Sequence, residues 1–196
     1  MTSTYTIAYW EANQSSLDSG PAFNIGDTAA NISGALNALN ADSNILQIRI
    51  TDNTAVVFKV GQLINDTNVL SKLINDDNSP AHVNVRDTAQ HIANNFASIA
   101  TEGQVSIITV SDNTAVVLSA SQITNNASAL SLIHNADLSP ANVTAKDSAA
   151  HIAADGTLDT IEANLSIITS VVISNSTAMT LTAAQIANDA GALAIV

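Results

Sequence analysis

The sequence predicts an α/β protein built as a solenoid-like repeat array, in which a strand–helix–strand–strand–helix unit of about sixty residues occurs three times. Three observations predict it. Residues 21–80 and 81–140 align without a gap at a period of 60, and residues 141–196 follow the same pattern with three extra residues after Ile168. Within each copy the apolar spacing switches between the alternation of a strand and the three-to-four spacing of a helix. All three prolines, Pro21, Pro80 and Pro140, fall at the joints between copies. A unit of this size cannot bury its apolar face alone, and stacked neighbours supply one continuous core.

The elements follow in order along one copy. Val83-Asn84-Val85 alternates as a short strand. Asp87 stands at an N-cap, where its carboxylate can accept orphan N–H groups of the next turn. Ala89, Ile92, Phe96 and Ile99 then keep helical spacing, as do Ala29, Ile32, Leu36 and Leu39 in the first copy. A strand over Val105–Val110 ends in an Asp-Asn turn. The second strand of the pair places Val116, Leu118 and Ala120 on one face and Ser119 on the other, matching Val56, Phe58 and Val60 and then Met179, Leu181 and Ala183. A second helix carries Ile123, Ala127, Leu130 and Ile133. The two halves of a copy are themselves similar, which suggests an older unit of roughly 30 residues.

The boundaries read as 1–20 for an N-terminal strand that caps or docks, 21–80 and 81–140 for two regular copies, and 141–196 for a degenerate third. In the third, Gly156 replaces Leu36 and Phe96, and Asp159 replaces Leu39 and Ile99, so its first helix should break or shift register. Residues 4–10 read as a strand carrying Tyr5, Tyr9 and Trp10, half of the six aromatic residues. They either cover the first copy or anchor another subunit.

Composition bounds the function. Five Lys and Arg stand against 17 Asp and Glu, a net charge of −12. Nucleic-acid binding and docking on anionic lipid are therefore not expected. With no Cys, thiol catalysis, disulfides and cysteine metal sites are excluded. The start has no basic n-region followed by an apolar run, and no stretch of about 18 apolar residues occurs, so neither a secretory leader nor membrane insertion is expected. The Asn-, Ser- and Thr-rich, Lys-poor composition nevertheless suits an exported protein.

The runs Asp87-Thr88-Ala89-Gln90-His91-Ile92-Ala93-Asn94-Asn95, Ile108-Thr109-Val110-Ser111-Asp112 and Ala115-Val116-Val117-Leu118-Ser119-Ala120-Ser121-Gln122 resemble repeats of bacterial extracellular and surface proteins exported by type I secretion. The resemblance covers residues 21–196. It implies an adhesin or surface-layer-like role, a location outside the cell or on its surface, and an uncleaved C-terminal export signal. The acidic, small-residue tail Ala187–Val196, ending in Leu193-Ala194-Ile195-Val196, is similar to such signals. The glycine-rich calcium nonapeptide common in that class is absent, and the chain holds only seven Gly.

No catalytic residue, cofactor-binding residue or metal ligand is assigned, and the chain is not expected to be an enzyme. His91 and His151 are repeat-equivalent but have no second ligand at metal spacing, so they read as helix-surface residues. Asp76 and Asp77 read as a solvated turn. The loop acids Asp52, Asp112, Asp76, Asp77 and Asp137 have neighbouring amide and hydroxyl oxygens of the kind that suits Ca²⁺, but no loop matches the EF-hand or nonapeptide spacing, so no cofactor is expected. Asn53 with Asn113, and Gln62 with Gln122 and Gln185, are expected to satisfy backbone groups at corners.

The candidate assembly residues are Tyr5, Tyr9 and Trp10 at one end and Leu193, Ile195 and Val196 at the other. A monomeric stack needs polar caps, whereas these ends are aromatic and apolar. The sequence therefore predicts a homo-oligomer or homopolymer that grows head to tail into a filament or surface layer. The alternative is a monomeric adhesin or carbohydrate-binding module whose partner is a cell surface or glycan.

Overall fold

Repetition in the sequence becomes repetition of strand register. The structure, a computed structural model, describes residues 2–154 and 156–196. Among the described residues are eleven strands and twelve helices, and the strands lie in three parallel sheets. Parallel neighbours require crossover connections, and helices supply them. The chain divides into two compact units, one running up to Arg86 with Gly103–Ser106 and the other made of Asp87–Glu102 and Ile107–Val196.

The first unit begins with β1 (Thr4–Tyr5), α1 (Ile7–Asp18), β2 (Phe23–Asp27), α2 (Ala29–Ala41) and β3 (Ile45–Ile50). It continues with β4 (Val56–Phe58), α3 (Val60–Asn65), α4 (Thr67–Lys72), β5 (Leu73–Asn75) and the strand β6 (Val83–Asp87). One sheet runs β1-β2-β3-β5, and β4 pairs with β6 through Val56↔Val83 and Phe58↔Val85. Helix α2 forms because Thr28 caps it, its hydroxyl accepting the Asn31 N–H, and because Ile32, Leu36 and Leu39 return to one face. That face packs in a core with Phe23, Ile25, Ile48 and Phe58, all buried.

The second unit holds α5 (Ala89–Asn94), α6 (Phe96–Thr101), all but the first two residues of β7 (Val105–Val110), β8 (Val116–Leu118), α7 (Ala120–Asn125), α8 (Ala127–Leu130) and β9 (Ile133–Asn135). There follow β10 (Val143–Asp147), α9 (Ala149–Ile152), α10 (Thr157–Glu162), β11 (Ile168–Ile173), α11 (Ala183–Asn188) and α12 (Ala190–Ala194). One sheet runs β11-β10-β8, and β7 pairs with β9. The core is built from Ile92, Phe96, Ile99, Leu118, Ile123, Leu130, Val143 and Ile161.

Several expectations are corrected. The unit is strand–helix–strand twice over, because the short strands β5 and β9 close each second half. Ile133 therefore lies in β9 rather than at the end of a helix. The strands β4 and β8 stop at Phe58 and Leu118, and Lys59 and Ser119 are the N-caps of the helices that follow. Ser119 takes that place because a hydroxyl satisfies an orphan N–H there better than it serves a strand.

In the third copy the expected break is present: Gly156 has φ 83° and separates α9 from α10. Leu158 and Ile161 take over the burial that Asp159 cannot provide. The expected strand through Met179 and Leu181 does not form. Copies one and two pair that strand with the opening strand of the next copy, and among the described residues no strand pairs with this segment.

The N-terminal segment differs most from expectation. Only Thr4–Tyr5 is strand, and Ile7–Asp18 is helix. Its register reveals what it is. Thr4 and Tyr5 pair with Asn24 and Ile25 as Val57 and Phe58 pair with Asn84 and Val85, and as Val117 and Leu118 pair with Thr144 and Ala145. Residues 4–17 are a second-half repeat, with Ile7, Trp10, Asn13 and Leu17 in the places of Ala120, Ile123, Asn126 and Leu130.

Candidate assembly surfaces

At the N-terminal end, Thr6 caps α1 and the helix turns Ile7 and Trp10 inward. Trp10 is only 1% exposed, and its indole Nε1 donates to Asp42 Oδ2 at 2.8 Å. A buried indole with its N–H satisfied is a core residue, so Trp10 offers no free surface to a partner. Tyr5 is half-buried, stacked on Tyr9 at 5.0 Å and edge-on to Phe23 at 5.6 Å. Tyr9 alone of the three is exposed. Beside this stack lies an open groove of about 430 Å³, lined by Ser3, Tyr5, Ser16, Leu17, Pro21 and Phe23.

At the C-terminal end Leu193 and Ile195 are half-buried and Val196 is exposed. The tail is packed: Val171 donates its N–H to Ile195 O at 2.8 Å, and Ala192 N–H reaches Glu162 Oε2 at 2.6 Å. The residue that sequence reasoning missed is Ile186. It is 58% exposed, while Leu63 and Ile123 at the equivalent positions are 1% and 0% exposed. Counting opening strands against closing halves would have found it.

The strand-end aspartates are structural clamps. Asp27 Oδ2 accepts the Ile7 N–H at 2.9 Å, and its Oδ1 accepts from Thr28 N and Asn31 Nδ2. Asp147 repeats this with Ala120 N at 3.2 Å, Ser148 N at 2.8 Å and His151 Nδ1 at 2.7 Å. Burial pushes both carboxyls up, but the hydrogen bonds they accept outweigh it and hold them below the ordinary 3.8. His91 makes the equivalent 2.7 Å contact to Asp87. Each histidine thus serves its own aspartate.

The loop acids are similarly occupied. Asp52 and Asp112 accept from Ala29 N and Ala89 N, both at 3.1 Å, while Asp77 and Asp137 close turns on Ser79 N and Ser139 N. Asp76 sits 3.7 Å from Arg49. Asn53 and Asn113, at φ 51°, accept from Asp76 N and Ala136 N. Gln122 accepts from Ser119 N and donates to Ala93 O at 2.7 Å, and Gln185 donates to Ala153 O at 2.8 Å. Gln62 likewise accepts from Lys59 N at 3.0 Å, and differs only in donating to the Asn37 side chain. Among the described residues no group of three His, Asp or Glu is placed to hold a metal ion, and no helix is long and apolar enough to cross a membrane.

Asp66 and Asp189 form a different class. They occupy the place where Asn13 and Asn126 donate a side-chain N–H to the carbonyls of Tyr9 and Gln122. A carboxylate has no proton to give, and one oxygen of each, Oδ2, is buried with no hydrogen-bond partner. Burial raises the pKa of Asp66. Burial, then the contact with Asp159 and the charges of Asp159 and Glu162, raise that of Asp189.

No family model matches the chain, and neither a curated protein nor a solved structure shows significant similarity to it.

Proposed function

We propose that the chain is a non-enzymatic, solenoid-like structural module of a bacterial cell exterior that assembles head to tail into a filament or surface layer. The observation that carries this reading is the asymmetry of the ends. One end is a half repeat docked on β2; the other is a half repeat whose strand segment and Ile186 have no apposed strand among the described residues. Contacts between unlike surfaces propagate as open polymers unless rotation closes a ring. Reuse of one parallel register at β1–β2, β4–β6 and β8–β10 supports an array that extends by adding like units. Export through the C-terminal tail rests on its similarity to type I signals.

Sedimentation of the native chain across concentration and ionic strength tests assembly. The net charge of −12 opposes close approach, so oligomer size should rise with salt. A chain that stays monomeric throughout overturns the reading. Secretion is tested by removing Ala187–Val196, with folding checked separately because Ala192 is buried; unimpaired export overturns the signal. The groove beside Tyr5 and Phe23 favours a second reading, a monomeric glycan-binding module, which a glycan array on monomeric protein examines.

A further inference from the structure

The described residues contain three opening strands, β2, β6 and β10, and four half repeats of the kind that dock on an opening strand. The docking halves begin at Thr4, Val56, Val116 and Ala178. Three are docked, on β2, β6 and β10 in turn. The fourth keeps the helix of its kind: Thr182 caps α11, its hydroxyl accepting the Gln185 N–H at 3.2 Å, and Gln185 completes the capping box. Yet its strand segment is unformed, Met179 and Leu181 are half-exposed where Val116 and Leu118 are buried, and Ile186 faces solvent.

We infer that this fourth half, residues Ala178–Leu193, docks on β2 of a second copy, taking the place that copy's own residues 4–17 hold. The inference rests on the self-assembly reading and names its contact. The register reused three times within the chain dictates the geometry. Thr180 comes opposite Asn24 and Leu181 opposite Ile25, and the Ala183 N–H meets Asp27 Oδ2 as Ile7 N–H and Ala120 N–H meet Asp27 and Asp147. Met179 and Leu181 then enter the face that Phe58 and Leu118 fill, and Ile186 takes the site of Trp10.

The occupant is a second copy because only an opening strand with a helix behind it and an aspartate at its end completes this half. β2 is the one such strand held by the shortest ladder. β1 has two residues, against three in β4 and β8. The N-terminal arm is therefore a plug that competes with a neighbour's tail. Exchange conserves the number of ladders, so assembly should be reversible and steeply dependent on concentration.

The chain contains no cysteine, which permits a direct test on the full-length protein. Partners in a parallel ladder lie at a Cα separation that a disulfide can span. Thr4→Cys with Asn24→Cys locks the arm on its own β2. The locked chain should lose the oligomers that wild type forms at high concentration and regain them on reduction. Trp10→Phe removes the bond to Asp42 and loosens the arm, and should lower the concentration needed for assembly several-fold, with helicity checked by circular dichroism. Mixing Asn24→Cys chains with Thr180→Cys chains should give a mixed-disulfide dimer, and Thr177→Cys in place of Thr180→Cys should not. If the locked chain still assembles like wild type, the exchange is overturned and self-assembly by another contact stands. If wild type and Trp10→Phe both stay monomeric and no mixed disulfide forms, exchange and self-assembly fail together.

Discussion

Asp147 accepts the backbone N–H of Ala120 at 3.2 Å and so ties the helix that ends one copy to the strand that opens the next. The same carboxylate caps its own helix through Ser148 N. One side chain thus serves two helix starts, and Asp27 does the same for Ile7 and Thr28. Asp147→Ala should cost about 1–2 kcal/mol, the range for losing a cap. Both carboxyls titrate below 3.8 when folded, so the fold binds fewer protons than the unfolded chain in that window. Their stabilisation is complete above about 3.8 and lost as pH falls through the lowered folded value. Urea unfolding of wild type and Asp147→Ala should converge at the acid end of that window; a constant difference down to the lowest pH would remove the linkage.

Asp66 and Asp189 behave in the opposite sense. Their carboxyls titrate above 3.8 in the fold, so the folded state binds the extra proton. The favourable contribution is full below 3.8 and is lost as pH rises through the folded value. Protonated, each can donate to the i−4 carbonyl as Asn126 does to Gln122 O. Asp66→Asn and Asp189→Asn should therefore raise the melting temperature at neutral pH and change it little at pH below 3.8. Thermal melts at the two pH values check this, and a destabilised Asn variant at neutral pH would contradict it.

Leu138 stands at φ 66° and is 62% exposed, and its counterpart Asn78 adopts φ 67°. A branched apolar side chain in left-handed backbone costs about 1–2 kcal/mol, and Asn tolerates it better. Leu138→Asn should stabilise the chain by about 1 kcal/mol, and the exposed leucine gives up little packing. Denaturant midpoints with an unchanged slope measure it.

What was legible in the sequence was the repeat itself. The faces of α2 and of the segment from Ala89 to Ile99 follow from Ile32, Leu36, Leu39, Phe96 and Ile99, because these positions repeat at helical spacing. Strands of three residues, such as β5 and β9, give too few alternations to be told from a helix end, so Ile133 was misplaced. The N-terminal half repeat escaped because Trp10 replaces Leu63 and Ile123, and Tyr9 replaces Gln62 and Gln122. Aromatic identity there left two readings open, a cover over the first copy and an anchor for another subunit; strand register and the Asp42 contact put Trp10 in the core, as the first reading has it. The exposure of Ile186 reflects the lack of an apposed strand among the described residues, which no local pattern encodes.

Leu118 and Ser119 provide the sharpest check on the second-half register. Read as neighbours on an alternating strand, Leu118 faces inward and Ser119 outward, which would make Ser119→Ala silent. The structure agrees on Leu118, which is fully buried. Ser119, however, caps α7: its hydroxyl accepts the Gln122 N–H at 3.2 Å while Gln122 Oε1 accepts the Ser119 N–H at 2.9 Å. Leu118→Ala should cost about 2–5 kcal/mol as a large-to-small core change. Ser119→Ala should cost about 1 kcal/mol through loss of the capping box, and Ser119→Asp should restore most of it because Asp is an equally good cap. Equilibrium unfolding of the three variants decides between the assignments. A silent Ser119→Ala returns the residue to the strand, whereas a loss that Asp rescues fixes the helix start at Ala120.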